Sequence, residues 1–168
     1  NLFSIQYDML SSAFKPKPGR FLISEPFMGD PNFQRTVVLL VEHNEDGSLG
    51  FVMNRQLEAK IHDLVDDAPH FLAPVFLGGP VEQDTLHFVH RLGNNLAGAR
   101  EVNEDIYWSG DFNMLKEMMH EGEISSDDIL FFVGYSGWSP GQLEAELKRK
   151  SWIVAPADPE FVFTSDYE

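Results

Sequence analysis

Residues 36–54 read TVVLLVEHNEDGSLGFVMN, and the fold class follows from this stretch. Thr36 to His43 is rich in β-branched residues and apolar without a break from Val37 to Val41. Such a run predicts a strand buried on both faces, hence a central one. Asn44 to Gly47 supplies turn chemistry, with Asp46-Gly47 as the tight pair. SLGFVMN then returns as a second strand, so Thr36 to Asn54 is a β-hairpin. Gly50 costs strand propensity and marks a bulge or close packing.

Outward from the hairpin, RFLIS (20–24) is a short strand. KPKPG (15–19) precedes it, and its two prolines favour an extended lead-in. Residues 1–19 are therefore set apart from one domain spanning 20–168. Leu2, Phe3, Ile5, Tyr7, Met9 and Leu10 leave two readings open, a short amphipathic helix docked on the body or a free arm. Downstream, Ile61–Val65 reads as a short helix, and PVFLGGP (74–80) as a strand ending in a glycine turn. TLHFVHRL (85–92) alternates and is expected to pair with it, followed by strands near 100–102 and 106–109.

Asp111 to His120 is helical, because Phe112, Leu115, Met118 and Met119 fall on one face, and Gly122 stops it. ILFFVGY (129–135) is a second fully apolar strand, leading into GWSPGQLEAELKRK and SWIVAP as strand–turn–helix–strand. The class is α+β: a mixed, largely antiparallel sheet curled into a pseudo-barrel or two-layer arrangement, with peripheral helices.

Composition narrows the function. Twelve Lys and Arg against 27 Asp and Glu leave a formal charge of −15. Such a chain repels polyanions at long range, so direct nucleic-acid binding is not expected, and charge complementarity favours a basic protein partner. Lys148-Arg149-Lys150, a dense basic run, suits a helix C-terminus. The sequence contains no cysteine, which excludes disulfides, thiol catalysis and zinc–thiolate sites. No stretch reaches the ~20 apolar residues of a spanning helix and no signal-peptide core is evident, so the expectation is a cytoplasmic protein without a membrane partner.

Several motifs occur together and in order: RTVVLLVEH, GSLGFVMNR, FLGGPV, VGYSGWSPGQLEAEL and SWIVAPAD. Across roughly Arg20 to Phe163 they resemble the YqgE/AlgH family. That resemblance implies a bacterial protein with a mixed α/β pseudo-barrel fold. It also implies a role in transcriptional regulation, with no defined reaction attached.

The motifs carry little catalytic signal. SPGQ has the form of a capping box, with Ser139 at the N-cap, Pro140 at N1 and Gln142 at N3. GYSGW departs from the nucleophile elbow G-x-S-x-G, since Trp138 stands where the second glycine belongs. His43, His87 and His90 are available as bases, but nothing in the sequence brings them to Ser136. His87 and His90, three apart on a strand, face opposite ways, and no metal site or cofactor is expected.

The ligand-binding candidates lie in three turns: Asn54 and Arg55; Gly78 and Gly79; and Gly134, Tyr135, Ser136, Gly137 and Trp138. Glycine-rich turns with free amides could hold a carboxylate or phosphate if the three converged. The leading expectation is a non-enzymatic regulatory or interaction domain with a protein partner and an indirect effect on transcription. The alternative is a small-anion or metabolite binder, or a hydrolase, using that pocket.

Overall fold

The computed structural model describes residues 14–164, so the readings for residues 1–13 lie outside them. The strands are β1 (Arg20–Ser24), β2 (Val37–Asn44), β3 (Gly47–Val52), β4 (Gln56–Leu57), β5 (Val75–Leu77), β6 (Val81–His90), β7 (Arg100–Asn103), β8 (Ile106–Trp108), β9 (Ile129–Trp138) and β10 (Trp152–Pro156). Four α-helices occur among the described residues: α1 (Ile61–Leu64), α2 (Phe112–His120), α3 (Gln142–Lys148) and α4 (Pro159–Thr164). The sheet runs β10-β1-β2-β3-β9-β6-β8-β7 and curls into a half-barrel. It is antiparallel except where β5 runs parallel to β9.

The hairpin forms as read. Glu45 and Asp46 occupy the turn, and Gly47, with φ of +125°, already belongs to β3. The register slips between Leu40 and Glu42, and a Cβ on Gly50 would sit 2.7 Å from the Leu39 carbonyl oxygen. The bulge therefore lies in β2, and Gly50 on β3 marks the close approach.

The uniformly apolar runs are apolar because both faces are covered. Val38 and Leu40 pack with Trp138, Leu143 and Trp152 beneath α3. Leu39 and Val41 point the other way, into a core with Phe21, Phe51 and Phe132. In β9, Phe132 joins that core while Phe131 packs with Leu115 and Met119 of α2.

The expected pairing of residues 85–92 with residues 74–80 does not form. Instead β9 lies between them, with Phe131, Phe132 and Val133 registered against β5 on one edge and against β6 on the other. A ten-residue apolar strand gains most by having both edges covered, and the Gly78–Pro80 turn carries the chain past it.

A second correction concerns GYSGW, which is not a turn. Residues 134–138 continue β9, and Gly50, Leu49 and Ser48 of β3 pair with Ser136, Gly137 and Trp138. The capping box before α3 is half realised. The Ser139 N–H donates to Gln142 Oε1 at 3.0 Å, but the Ser139 hydroxyl also donates there, at 3.1 Å. Gly141, at φ +78°, separates this turn from the helix, which begins at Gln142.

Candidate functional site

Two of the three glycine and polar motifs meet, backbone against backbone. β9 leaves β5 for β3 at Gly134, and the Gly78–Gly79 turn sits in that junction. Gly78 N–H donates to the Val133 carbonyl at 2.8 Å, and Val52 N–H donates to the Gly78 carbonyl at 2.8 Å. A Cβ on Gly79 would lie 2.2 Å from the Tyr135 carbonyl, and one on Gly134 2.6 Å from the Gly79 oxygen. Three backbone segments meet here closer than side chains permit.

Ser136 is fully buried, and its hydroxyl donates to the Gly78 carbonyl at 3.0 Å. Trp138 is buried as well, its indole N–H donating to Glu146 of α3 at 3.1 Å. Tyr135 and Gly137 reach an open groove of about 540 Å³ at the hairpin tip, beside Glu42 and Asp46.

Asn54 and Arg55 adjoin the same junction through backbone, Leu77 N–H donating to the Arg55 carbonyl at 2.9 Å. Their side chains turn elsewhere, onto the connection 25–36 between β1 and β2. The Asn54 amide donates to the Arg35 carbonyl at 2.8 Å and accepts from Val37 N–H at 3.1 Å. Thr36 N–H donates to the buried Ser24 hydroxyl at 2.8 Å, and the Thr36 hydroxyl donates to the Phe33 carbonyl at 3.1 Å. These bonds hold Arg35 at φ +50°, a left-handed conformation that costs a non-glycine residue about 1–2 kcal/mol.

Arg35 and Arg55 both line a cavity of about 520 Å³ with Phe27, Met28 and Gln34. An adjoining cavity of about 440 Å³ shares Pro26, Phe27 and Arg35 and adds Ile23 and Val37. Among the described residues, no carboxylate lines either one. The acids of this connection face its own backbone: Glu25 accepts from Phe27 N–H at 3.0 Å, and Asp30 from Asn32 N–H at 2.9 Å. Arg55 donates to the Pro31 carbonyl at 3.3 Å. Neither guanidinium forms an ion pair among the described residues. Phe27 stands 82% exposed beside them.

Sequence reading did not select this connection. Its length was the available signal: twelve residues separate β1 from β2, where antiparallel neighbours need only about two to five.

At the other end of the hairpin, His43 Nδ1 lies 2.6 Å from the Ser48 hydroxyl. Its Nε2 lies 3.3 Å from a Glu144 carboxylate oxygen in α3. Of the three histidines named as bases, His43 thus meets a serine in the partner strand, not Ser136. Hydroxyl, imidazole and carboxylate in a row is the order that activates a nucleophile. Here the row also ties α3 to the hairpin.

A family model described as AlgH-like matches residues 21–168. The chain belongs to the AlgH-like family. A UPF0301 protein of Chlorobaculum tepidum is 43% identical over 152 residues, covering 90% of this chain and 81% of the relative. A UPF0301 protein of Parabacteroides distasonis is 41% identical over 171 residues, covering 100% of this chain and 84% of that one. The solution structure of AlgH from Pseudomonas aeruginosa superposes with a TM-score of 0.70 at 34% identity, over 89% of this chain and 84% of that one. A crystal structure of a Corynebacterium diphtheriae protein gives a TM-score of 0.76 at 23% identity, over 90% and 81%, a likeness of fold. The AlgH-like resemblance carried by the hairpin, FLGGPV and GYSGWSPGQLE is thereby established. Among the described residues, no helix is long and apolar enough to cross a membrane.

Proposed function

We propose that the protein is a regulatory binding domain of the bacterial cytoplasm. It recognises a protein partner through the connection 25–36, and any effect on transcription passes through that partner. One observation carries the reading: Phe27 is 82% exposed on a connection whose far end is pinned by the Asn54 amide donating to the Arg35 carbonyl and by Thr36 N–H donating to the Ser24 hydroxyl. An aromatic ring held open to water on a fixed frame supplies contact area at low ordering cost. The −15 charge supports a protein partner over nucleic acid.

A photo-crosslinking residue at position 27 tests this. One discrete adduct, competed away by excess unlabelled protein and absent when the crosslinker stands at the exposed Leu72, is the expected result. Uncompeted labelling, or equal labelling at both positions, removes the reading.

The Ser48–His43–Glu144 row favours a second reading, acyl transfer at Ser48 with His43 as base. Covalent labelling of Ser48 by a fluorophosphonate, lost in His43→Asn, would support it. Wild-type protein that stays unlabelled retires it.

A further inference from the structure

The proposed recognition face has a chemistry of its own. We infer that Arg35 and Arg55 form a seat for a single carboxylate flanked by apolar side chains on the partner, and this inference rests on the recognition reading above. The seat joins two guanidiniums and an apolar wall of Phe27, Pro26, Ile23 and Val37, with no competing acid among the described residues.

Composition makes that arrangement notable. In a chain with 27 acids and 12 bases, two arginines share a cavity with neither in an ion pair among the described residues. Arginine presents a planar fork of donors that matches a carboxylate in two-point contact. Leaving two such forks without an ion pair forgoes an interaction that a carboxylate ligand restores.

Backbone strain points the same way. Arg35 adopts φ +50°, where glycine sits without cost. Asn54 spends both ends of its amide holding that geometry, donating to the Arg35 carbonyl and accepting from Val37. A side chain kept at a strained position by dedicated hydrogen bonds marks a group that the site needs. The Arg35 carbonyl would be held equally well on a glycine, so the guanidinium is what the arrangement adds.

Charge also selects the ligand. An acid-rich segment meets the repulsion of a chain carrying −15 before it reaches the cleft. One carboxylate meets far less, and within a Debye length of about 8 Å the two guanidiniums dominate. The 440 Å³ cavity beside Arg35 is walled largely by apolar groups, so the residues adjoining the carboxylate are apolar. The ligand is thus an acidic residue within an apolar segment, and neither a polyanion nor an acidic tail.

Calorimetric titration of the full chain with the capped peptide Gly-Leu-Glu-Phe-Gly tests the inference, with the glutamine analogue beside it. Binding is expected, weakened at least about tenfold in the analogue and in Arg55→Ala, the scale of one charged hydrogen bond. Arg35→Gly is the decisive variant, because glycine accepts the positive φ. It should melt no lower than wild type and still lose binding at least about tenfold.

Equal affinity for the glutamine analogue overturns the inference. So does unchanged binding by a folded Arg35→Gly, Arg55→Ala double variant. Phenyl phosphate or a DNA duplex binding where the peptide does not would overturn it too. The two readings fail separately. A partner captured at position 27 that binds the double variant normally removes the carboxylate seat and leaves the recognition face. Arginine-dependent peptide binding with no adduct at position 27 does the reverse.

Discussion

At the scale of single residues, side chains that looked like ligands act largely on the backbone. Ser136 donates to a carbonyl that Val52 N–H also serves. Ser136→Ala should therefore cost only about 1 kcal/mol, since no acceptor is orphaned. Gly79→Ala is a different case, with its new Cβ 2.2 Å from the Tyr135 carbonyl. It should cost about 3 kcal/mol or more, because neither backbone can give way in the sheet. Urea denaturation of the two variants measures the contrast. Asn54→Ala removes the bonds to Arg35 and Val37, a loss of roughly 1–3 kcal/mol. If the Arg35 seat depends on that clamp, the same variant weakens carboxylate binding without touching either guanidinium, which the peptide titration reads.

At the scale of elements, α3 is fixed by a carboxylate. Glu146 Oε1 accepts from the Trp138 indole at 3.1 Å and the Trp152 indole at 2.9 Å, while its Oε2 accepts from the Gln142 amide at 2.9 Å. Both indoles are buried, and their rings lie edge to face at 5.9 Å. Glu146→Ala orphans two buried donors and should destabilise by about 2–4 kcal/mol, whereas Glu146→Gln keeps an acceptor and should cost less. Thermal melting followed by tryptophan fluorescence separates them, since the reporters sit at the site of change. Sequence reading placed the N-cap of this helix at Ser139, whereas Gly141 caps it and only the Ser139 N–H to Gln142 bond of the SPGQ box is present. It could not anticipate Glu146, because Trp138 and Trp152 come from strands that only the folded sheet brings together.

At the scale of the whole molecule, two imidazoles withdrawn from water, His90 fully and His87 in part, make stability depend on pH. Desolvation lowers the pKa of both His87 and His90, against a smaller raising influence from Glu82 on the first and from the Ser109 carbonyl on the second. His90 shows why the neutral ring is preferred. Its Nε2 donates to the Ser109 carbonyl at 2.8 Å, while Nδ1 accepts from Leu92 N–H at 3.2 Å. A second proton would confront that N–H. The unfolded chain therefore binds more protons than the folded one. The stability contributed is complete above the ordinary histidine pKa and is lost as pH falls through the depressed folded values. Denaturation midpoints between pH 7.5 and 5.5 should fall with acid, and less steeply in His90→Gln. An unchanged slope in that variant would assign the acid sensitivity elsewhere.

The same division between local and global holds for the protein as a whole. The sequence by itself determined the hairpin at 36–54, the helix after Asp111 and the α+β class, because turn chemistry, hydrophobic period and continuous apolar runs are local quantities. It also pointed to the family, since FLGGPV and GYSGWSPGQLE record how tightly the backbone segments must pass at Gly79 and Gly134. Only the tertiary structure decided that β9 separates β5 from β6, that Ser136 faces Gly78, and that Asn54 and Arg55 serve the connection 25–36. Those outcomes are set by which edges and guanidiniums lie beside one another in space. No periodicity along the chain encodes that.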